Sequence, residues 1–263
     1  MHEATPARPP LKGVTMLRST NKILGYRLDA MDGELGKVKD WYFDDEAWTI
    51  RYVVVDTGSW LSSRKVLISP QALGEPDWSA GSIPVALSKQ QVEDSPGIDL
   101  DMPVSRQHEE YLSKYYGWPP YWMPSGVTAG IGTPVAMTHE AAVAQSEPSE
   151  PQGDPNLRSI REVMGYHIEA ADGEIGHVED FITDSSYHWV LRYMVIDTRN
   201  WLPGKKVLVS PGWVDEISWS DGEVRVSHNR QAIKDAPEFD PAAPVNREYE
   251  GRLYDYYGVP RYW

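Results

Sequence analysis

The 263-residue chain has no cysteine, only three phenylalanines, no extended run of basic residues and no long apolar stretch. Each absence removes a class of chemistry. Without cysteine there is no disulfide framework, no thiolate zinc site and no cysteine nucleophile, and the composition fits a reducing cytoplasm. No segment approaches the roughly 20 apolar residues needed to span a bilayer. The opening residues hold no apolar core of a secretory leader. Direct membrane insertion is therefore not expected, and any position at the inner membrane would come through a partner. Lys and Arg number 25 against 39 Asp and Glu, giving a formal net charge of −14. Binding to phosphate backbones and anionic lipid rests on clustered Lys and Arg. Nucleic acid is accordingly disfavoured as a partner.

The aromatics that are present are amphipathic: 11 Trp and 15 Tyr. Such rings suit positions with one buried face and one wet edge. The length fits two ordinary domains better than one large one.

An internal repeat explains the length. Leu17-Arg18-Ser19 returns as Leu157-Arg158-Ser159, Gly25-Tyr26 as Gly165-Tyr166, and Asp32-Gly33-Glu34-Leu35-Gly36 as Asp172-Gly173-Glu174-Ile175-Gly176. The offset is 140 up to Asp184 and 141 thereafter, so one residue is inserted in the following turn. Arg51-Tyr52 then matches Arg192-Tyr193, Asp56-Thr57 matches Asp197-Thr198, and Trp60-Leu61 matches Trp201-Leu202. Lys65-Val66-Leu67 matches Lys206-Val207-Leu208, and Trp78-Ser79 matches Trp219-Ser220. Both copies end in aromatic tails, Tyr115 to Trp122 and Tyr256 to Trp263. A period this long makes each copy a whole domain rather than a solenoid unit. The expected division is a disordered N-terminus (1–15), a first domain (16–122), a flexible linker (123–156) rich in Ala, Gly, Ser, Pro and Glu, and a second domain (157–263). Within the linker, Glu140 to Ala144 could form a transient helical turn.

Within one copy, short strands are expected at Gly25 to Asp29, Gly36 to Asp44, Trp48 to Asp56 and Lys65 to Ser69. Asp32-Gly33 marks a hairpin turn, and further extended pieces follow near Trp78 and from Ile83 to Leu87. Tyr52-Val53-Val54-Val55 reads as a strand covered on both faces. Ser88 reads as a helix N-cap and Pro96-Gly97 as the stop. A second helix should run from Ser105 to Tyr116 and stop at Gly117. The fold class that results is mainly β: two tandem small, partly open barrels, each followed by one or two short helices and an aromatic tail.

The order and spacing of Gly25-Tyr26, Asp32 to Asp40, Arg51 to Thr57, Trp60-Leu61 and Lys65 to Ile68 resemble the PRC-barrel family. Gly173 to Asp180 and Arg192 to Leu208 resemble it equally. The family takes its name from the cytoplasmic domain of the photosynthetic reaction-centre H subunit. The resemblance implies a small partly open β-barrel that serves as an accessory or adaptor domain. Members occur in the reaction-centre complex, in a ribosome-maturation factor and as stand-alone bacterial proteins. No counterpart of the H subunit's membrane anchor or of the ribosome factor's partner domain is expected here.

No residues converge on a catalytic, cofactor or metal site, and no enzymatic activity is expected. Asp29, Asp32 and Glu34, with Glu169, Asp172 and Glu174, lack the spacing of a calcium loop and read as turn and solvated acids. Among the histidines (His2, His108, His139, His167, His177, His188 and His228) none pairs at metal-ligand spacing, and none recurs in the other copy, so all read as lone surface residues. Asp56 with Lys65, and Asp197 with Lys206, read as rim salt bridges or turn caps rather than catalytic pairs. Asp40 and Asp180 sit among apolar neighbours and need partners; Arg51 and Arg192 are the expected ones. The tails, Tyr115, Tyr116, Trp118, Tyr121 and Trp122, then Tyr256, Tyr257, Tyr262 and Trp263, are candidate interaction residues. They either cover their own barrel or dock elsewhere. The expected function is a cofactor-free adaptor or scaffold with protein partners, including pairing of the two barrels within one chain or as a homodimer. Accessory roles in a membrane electron-transfer complex or in ribosome maturation are the alternatives.

Overall fold

The computed structural model describes residues 17–96, 104–122, 154, 156–198 and 205–263. The expected disordered N-terminus (1–15), nearly all of the expected linker (123–156) with Glu140 to Ala144, and the Trp201-Leu202 side of one repeat match lie outside the described residues.

The first copy opens with a short strand, β1 (Leu17–Ser19), and one helical turn, α1 (Thr20–Ile23). β2 (Arg27–Ala30), β3 (Gly33–Asp44), β4 (Thr49–Asp56), β5 (Lys65–Ile68) and β6 (Ser82–Pro84) follow, with helices α2 (Lys89–Glu93) and α3 (Arg106–Tyr116) at the end. The second copy repeats the order as β7 (Leu157–Ser159), α4 (Ile160–Val163), β8 (His167–Ala170), β9 (Gly173–Asp184), β10 (Val190–Asp197) and β11 (Lys206–Val209). It continues with β12 (Val214–Ser218), β13 (Glu223–Val226), α5 (Arg230–Asp235) and α6 (Arg247–Tyr257).

Two compact units result. An amino-terminal unit spans Ile23–Glu162, and a carboxy-terminal unit joins Val163–Trp263 to the described residues up to Lys22. The units therefore differ from the expected 16–122 and 157–263 division at residues 17–22 and 157–162, and Asp154 and Asn156 of the expected linker lie in the amino-terminal unit. In the amino-terminal unit β3 pairs antiparallel with β2 and β4, β5 adds to β4, and β6 lies parallel to β2. β2 covers only Gly33 to Lys37 of the twelve-residue β3. The uncovered far edge, Tyr42 to Asp44, takes β7 from the second copy. The carboxy-terminal unit has the same plan: β9 pairs with β8 and β10, and its far edge, Ile182 to Asp184, takes β1 from the first copy. An open strand edge invites pairing, and here a strand from the opposite copy supplies it.

Each sheet is mixed and not closed. In the amino-terminal unit the isolated bridge Leu73–Val85 connects the segment after β5 with the segment after β6, short of a continuous ladder. The covered strand expected at Tyr52 to Val55 is β4, where all four residues are at most 4% exposed. Leu67, Val104 and Leu112 pack on Tyr52 and Val54.

Local chemistry sets the helix ends. Ser88 and Gln91 form a reciprocal capping box at the start of α2. Asp32 is not merely solvated: its Oδ1 accepts the Lys89 N–H at 2.8 Å, and Asp172 does the same for Arg230 at 2.6 Å. The acid of each hairpin turn thus holds the helix that returns over it. The residue inserted after Asp184 is absorbed by backbone: the shorter turn has one left-handed residue, Trp48, and the longer one has two, His188 and Trp189.

The second glycine of each Asp-Gly-Glu-x-Gly run has a stricter duty than the turn glycine. A Cβ on Gly36 would lie 2.1 Å from the Asp56 carbonyl oxygen, and on Gly176 2.0 Å from that of Asp197, with φ near +150° at both. Alanine there meets both a steric and a conformational penalty. Gly36→Ala and Gly176→Ala should each lower stability by at least about 2 kcal/mol in denaturant unfolding. Gly117→Ala, with open space around it, should cost about 1 kcal/mol.

Candidate functional site

The last helix of each copy carries a glutamate into the interior. Ser105 caps α3 by accepting the His108 N–H at 3.2 Å, and Gly117, at φ +71°, ends it. Glu109 and Leu112 therefore share the inward face, and both are 0% exposed. The Glu109 Oε2 accepts the Tyr121 hydroxyl at 2.6 Å. Arg106 stands 3.4 Å from Oε1 and 2.6 Å from the buried Asp154 carboxylate. The Tyr52 hydroxyl faces the same carboxyl. Arg51 lies over the Tyr121 ring at 4.1 Å, and Arg106 over Trp122 at 4.4 Å.

The carboxy-terminal unit repeats this arrangement. Asn246 caps α6 by accepting the Tyr249 N–H at 2.9 Å. Glu250 is fully buried; its Oε1 accepts the Tyr193 and Tyr262 hydroxyls at 2.8 and 2.7 Å, and its Oε2 the Arg247 guanidinium at 3.0 Å. Arg192 covers Tyr262 at 4.0 Å, and Arg247 covers Trp263 at 4.4 Å. Burial beside these carboxylates pushes the Tyr52, Tyr121, Tyr193 and Tyr262 hydroxyls up, so they remain donors. Burial, reinforced by the neighbouring Asp154, pushes the Glu109 carboxyl up to about 8. The offset-140 counterpart of Asp154 is Val14, so a second carboxylate from this position is a feature of the amino-terminal unit alone.

The tails thus fold onto their own units. Tyr115 donates to the Gln91 carbonyl and Tyr256 to the Ala232 carbonyl. Tyr116 stacks on Trp118 at 4.1 Å, and Tyr257 packs on Trp213 at 4.4 Å. Tyr256 and Trp263 nevertheless keep 40% and 45% of their surface exposed.

Asp40, which is buried, and Asp180, which is half-buried, have other partners than expected. Arg51 pairs with Asp44 at 2.9 Å and Arg192 with Asp184 at 3.6 Å. Asp40 lies opposite Val54 on β4, three residues beyond Arg51, which is why that guanidinium serves the end of the strand instead. Asp40 accepts the Ser159 hydroxyl at 2.6 Å, the Arg161 N–H at 3.3 Å and its neighbour's Trp41 N–H at 2.7 Å. Asp180 accepts the Ser19 hydroxyl, the Thr20 hydroxyl at 2.8 Å, the Asn21 N–H at 3.1 Å and the Phe181 N–H at 2.7 Å. Burial raises both carboxyls, and these donors pull the other way. Asp56 faces Lys65 in register, but its Oδ1 caps the following turn at Gly58 N–H, 3.0 Å away. Lys206 reaches Glu179 instead of Asp197, which is 2% exposed.

His108 and His228 are not lone surface residues. Burial lowers both, and His228 packs on Tyr257 at 4.5 Å. Among the described residues no three His, Asp or Glu side chains are grouped to hold a metal ion, and no helix is long and apolar enough to cross a membrane.

Sequence reasoning passed over the glutamates. The available signal was the pair Arg106-x-x-Glu109 and Arg247-x-x-Glu250, recurring at the same offset of 141 as Tyr52/Tyr193 and Tyr121/Tyr262.

These features define a β-sheet domain whose recurring interior acids, Asp40, Asp180, Glu109 and Glu250, are hydrogen-bonded within their own units. Residues 21–78 match the family model of the PRC-barrel domain. The match covers β2 to β5 of the first copy; the likeness of the second copy to the first rests on strand order, caps and buried acids. No curated protein matches the chain.

Glu109 gives a pH signature. Between the ordinary glutamate value of 4.5 and about 8, the native state holds a proton that the unfolded chain has released. Its contribution to stability is thus fully present below pH 4.5 and is lost progressively as the pH rises from there through about 8. The urea midpoint of the wild type should fall more between pH 6 and pH 8.5 than that of Glu109→Gln, which keeps the hydrogen bonds but cannot ionise. Equal falls in the two proteins would reject the protonated carboxyl.

Proposed function

We propose that the protein is a non-enzymatic adaptor or scaffold, built of two PRC-barrel-like units and acting through protein–protein contacts in the cytoplasm. One observation carries this reading: the acids that recur in both copies are tied into their own units. Glu250 has both oxygens taken by Tyr193, Tyr262 and Arg247, and Asp180 is surrounded by donors from residues 19–21 and 181. Groups so engaged are poorly placed to move protons on a substrate. The PRC-barrel match over residues 21–78 supports the same reading. Outward-facing aromatic surface, of the type enriched at binding hot spots, remains at Tyr256 and Trp263.

The test is quantitative affinity capture from native lysate with the full chain and with a Tyr256→Ala/Trp263→Ala variant, after equal unfolding midpoints have been established. The expected result is a specific set of proteins retained by the wild type and depleted several-fold by the variant. Turnover in a broad substrate screen that Asp56→Asn or Asp197→Asn abolishes would overturn the reading.

A further inference from the structure

The reciprocal use of β1 and β7 points to a self-recognition device. Each is the same tripeptide, Leu-Arg-Ser, followed by one helical turn. Each lies antiparallel on the same positions of its long strand: Leu17 opposite Asp184 and Ser19 opposite Ile182, Leu157 opposite Asp44 and Ser159 opposite Tyr42. Each is latched alike. The serine hydroxyl donates to Oδ2 of the aspartate, buried at Asp40 and half-buried at Asp180, and a backbone N–H of the turn, Asn21 or Arg161, donates to Oδ1. The same serine oxygen accepts the N–H three residues on, Lys22 or Glu162, at 3.1 Å, fixing the turn against the latch. Ion pairing adds a flank, with Arg158 3.2 Å from Asp45.

Two consequences follow from this geometry. An empty socket would leave a buried or half-buried aspartate short of donors and a strand edge unpaired, both unfavourable. Moreover, neither socket holds the clip of its own copy. Recognition rests on the Leu-Arg-Ser turn and not on continuity with the strands it completes.

We propose that each Asp-headed socket also accepts the Leu-Arg-Ser clip of a second copy of this chain, so that two molecules can exchange clips and assemble. This deepens the adaptor reading and rests on it, by naming one partner and the surface it uses. The clip of the same chain competes at high effective concentration. Exchange between molecules should therefore grow with protein concentration and with joint refolding, as in domain swapping.

The absence of native cysteine makes the exchange readable. Arg18 and Thr183 face each other in register. Full-length Arg18→Cys and Thr183→Cys chains are prepared separately, unfolded, mixed, refolded together at rising concentration and oxidised. A chain bearing both substitutions is the control and should close a disulfide within itself. A covalent dimer is expected from the mixture, increasing with concentration and mostly lost when Asp180→Ala is added to the Thr183→Cys chain. A control that closes while the mixture stays monomeric would overturn the proposal, as would a dimer indifferent to Asp180→Ala. Native mass spectrometry of isotope-labelled and unlabelled wild-type chains refolded together reads exchange without substitution: mixed dimers are expected, and monomers alone would reject it. A chain that stays monomeric yet still captures a partner in the lysate experiment would remove the exchange and leave the adaptor reading standing.

Discussion

A carboxylate taken out of water must be given donors, and most of the donors for Asp40 and Asp180 come from the opposite copy of the repeat. This requirement shapes much of the molecule. It fixes where β1 and β7 lie, because the serine hydroxyl and the turn N–H reach the acid only in one register. It covers the far edge of each twelve-residue strand. It also makes each compact unit a composite, with six residues at the head of each copy working in the unit of the other.

A second buried acid governs the other end of each unit. Glu109 and Glu250 draw together the fourth strand, the last helix and the aromatic tail through Tyr52 and Tyr121, or Tyr193 and Tyr262. Arginines roof the tyrosine rings and share the charge. A purely apolar tail would have lain against the barrel with little to set its position; hydroxyl donors within 3 Å of a fixed carboxylate specify it. The Trp and Tyr abundance, with so little Phe, follows from this need for rings that carry a polar handle.

What was legible in the sequence was local. Ser88 and Ser105 begin helices where capping chemistry puts them, and Tyr52 to Val55 is the covered strand its composition demands. Asp32 was legible as a turn but not as a helix cap, since the N–H that donates to it lies 57 residues away. The Arg51 partner for Asp40 failed because it was sought on the adjacent strand, whereas the true donor, Ser159, is 119 residues distant. The Leu-Arg-Ser triplet was visible as a repeat, but three residues are too few to carry a strand period. Its role appears only with the fold. The expected tandem division missed the exchange for the same reason: pattern along a chain shows which segments are alike, not which of them end up together.

The crossed placement of the two head segments also sets an order of events during synthesis. The amino-terminal unit has nearly all its strands by residue 84 and its last helix by residue 116, yet its edge strand is Leu157–Ser159. Residues 17–22 are made before either long strand and find their place on the strands of the second copy. Contacts spanning 119 to 161 residues close slowly. A nascent chain therefore carries one bare strand edge and an unanswered aspartate until residues 157–162 emerge, while the segment at residues 17–22 waits for the long strand Gly173–Asp184 before it finds its own place.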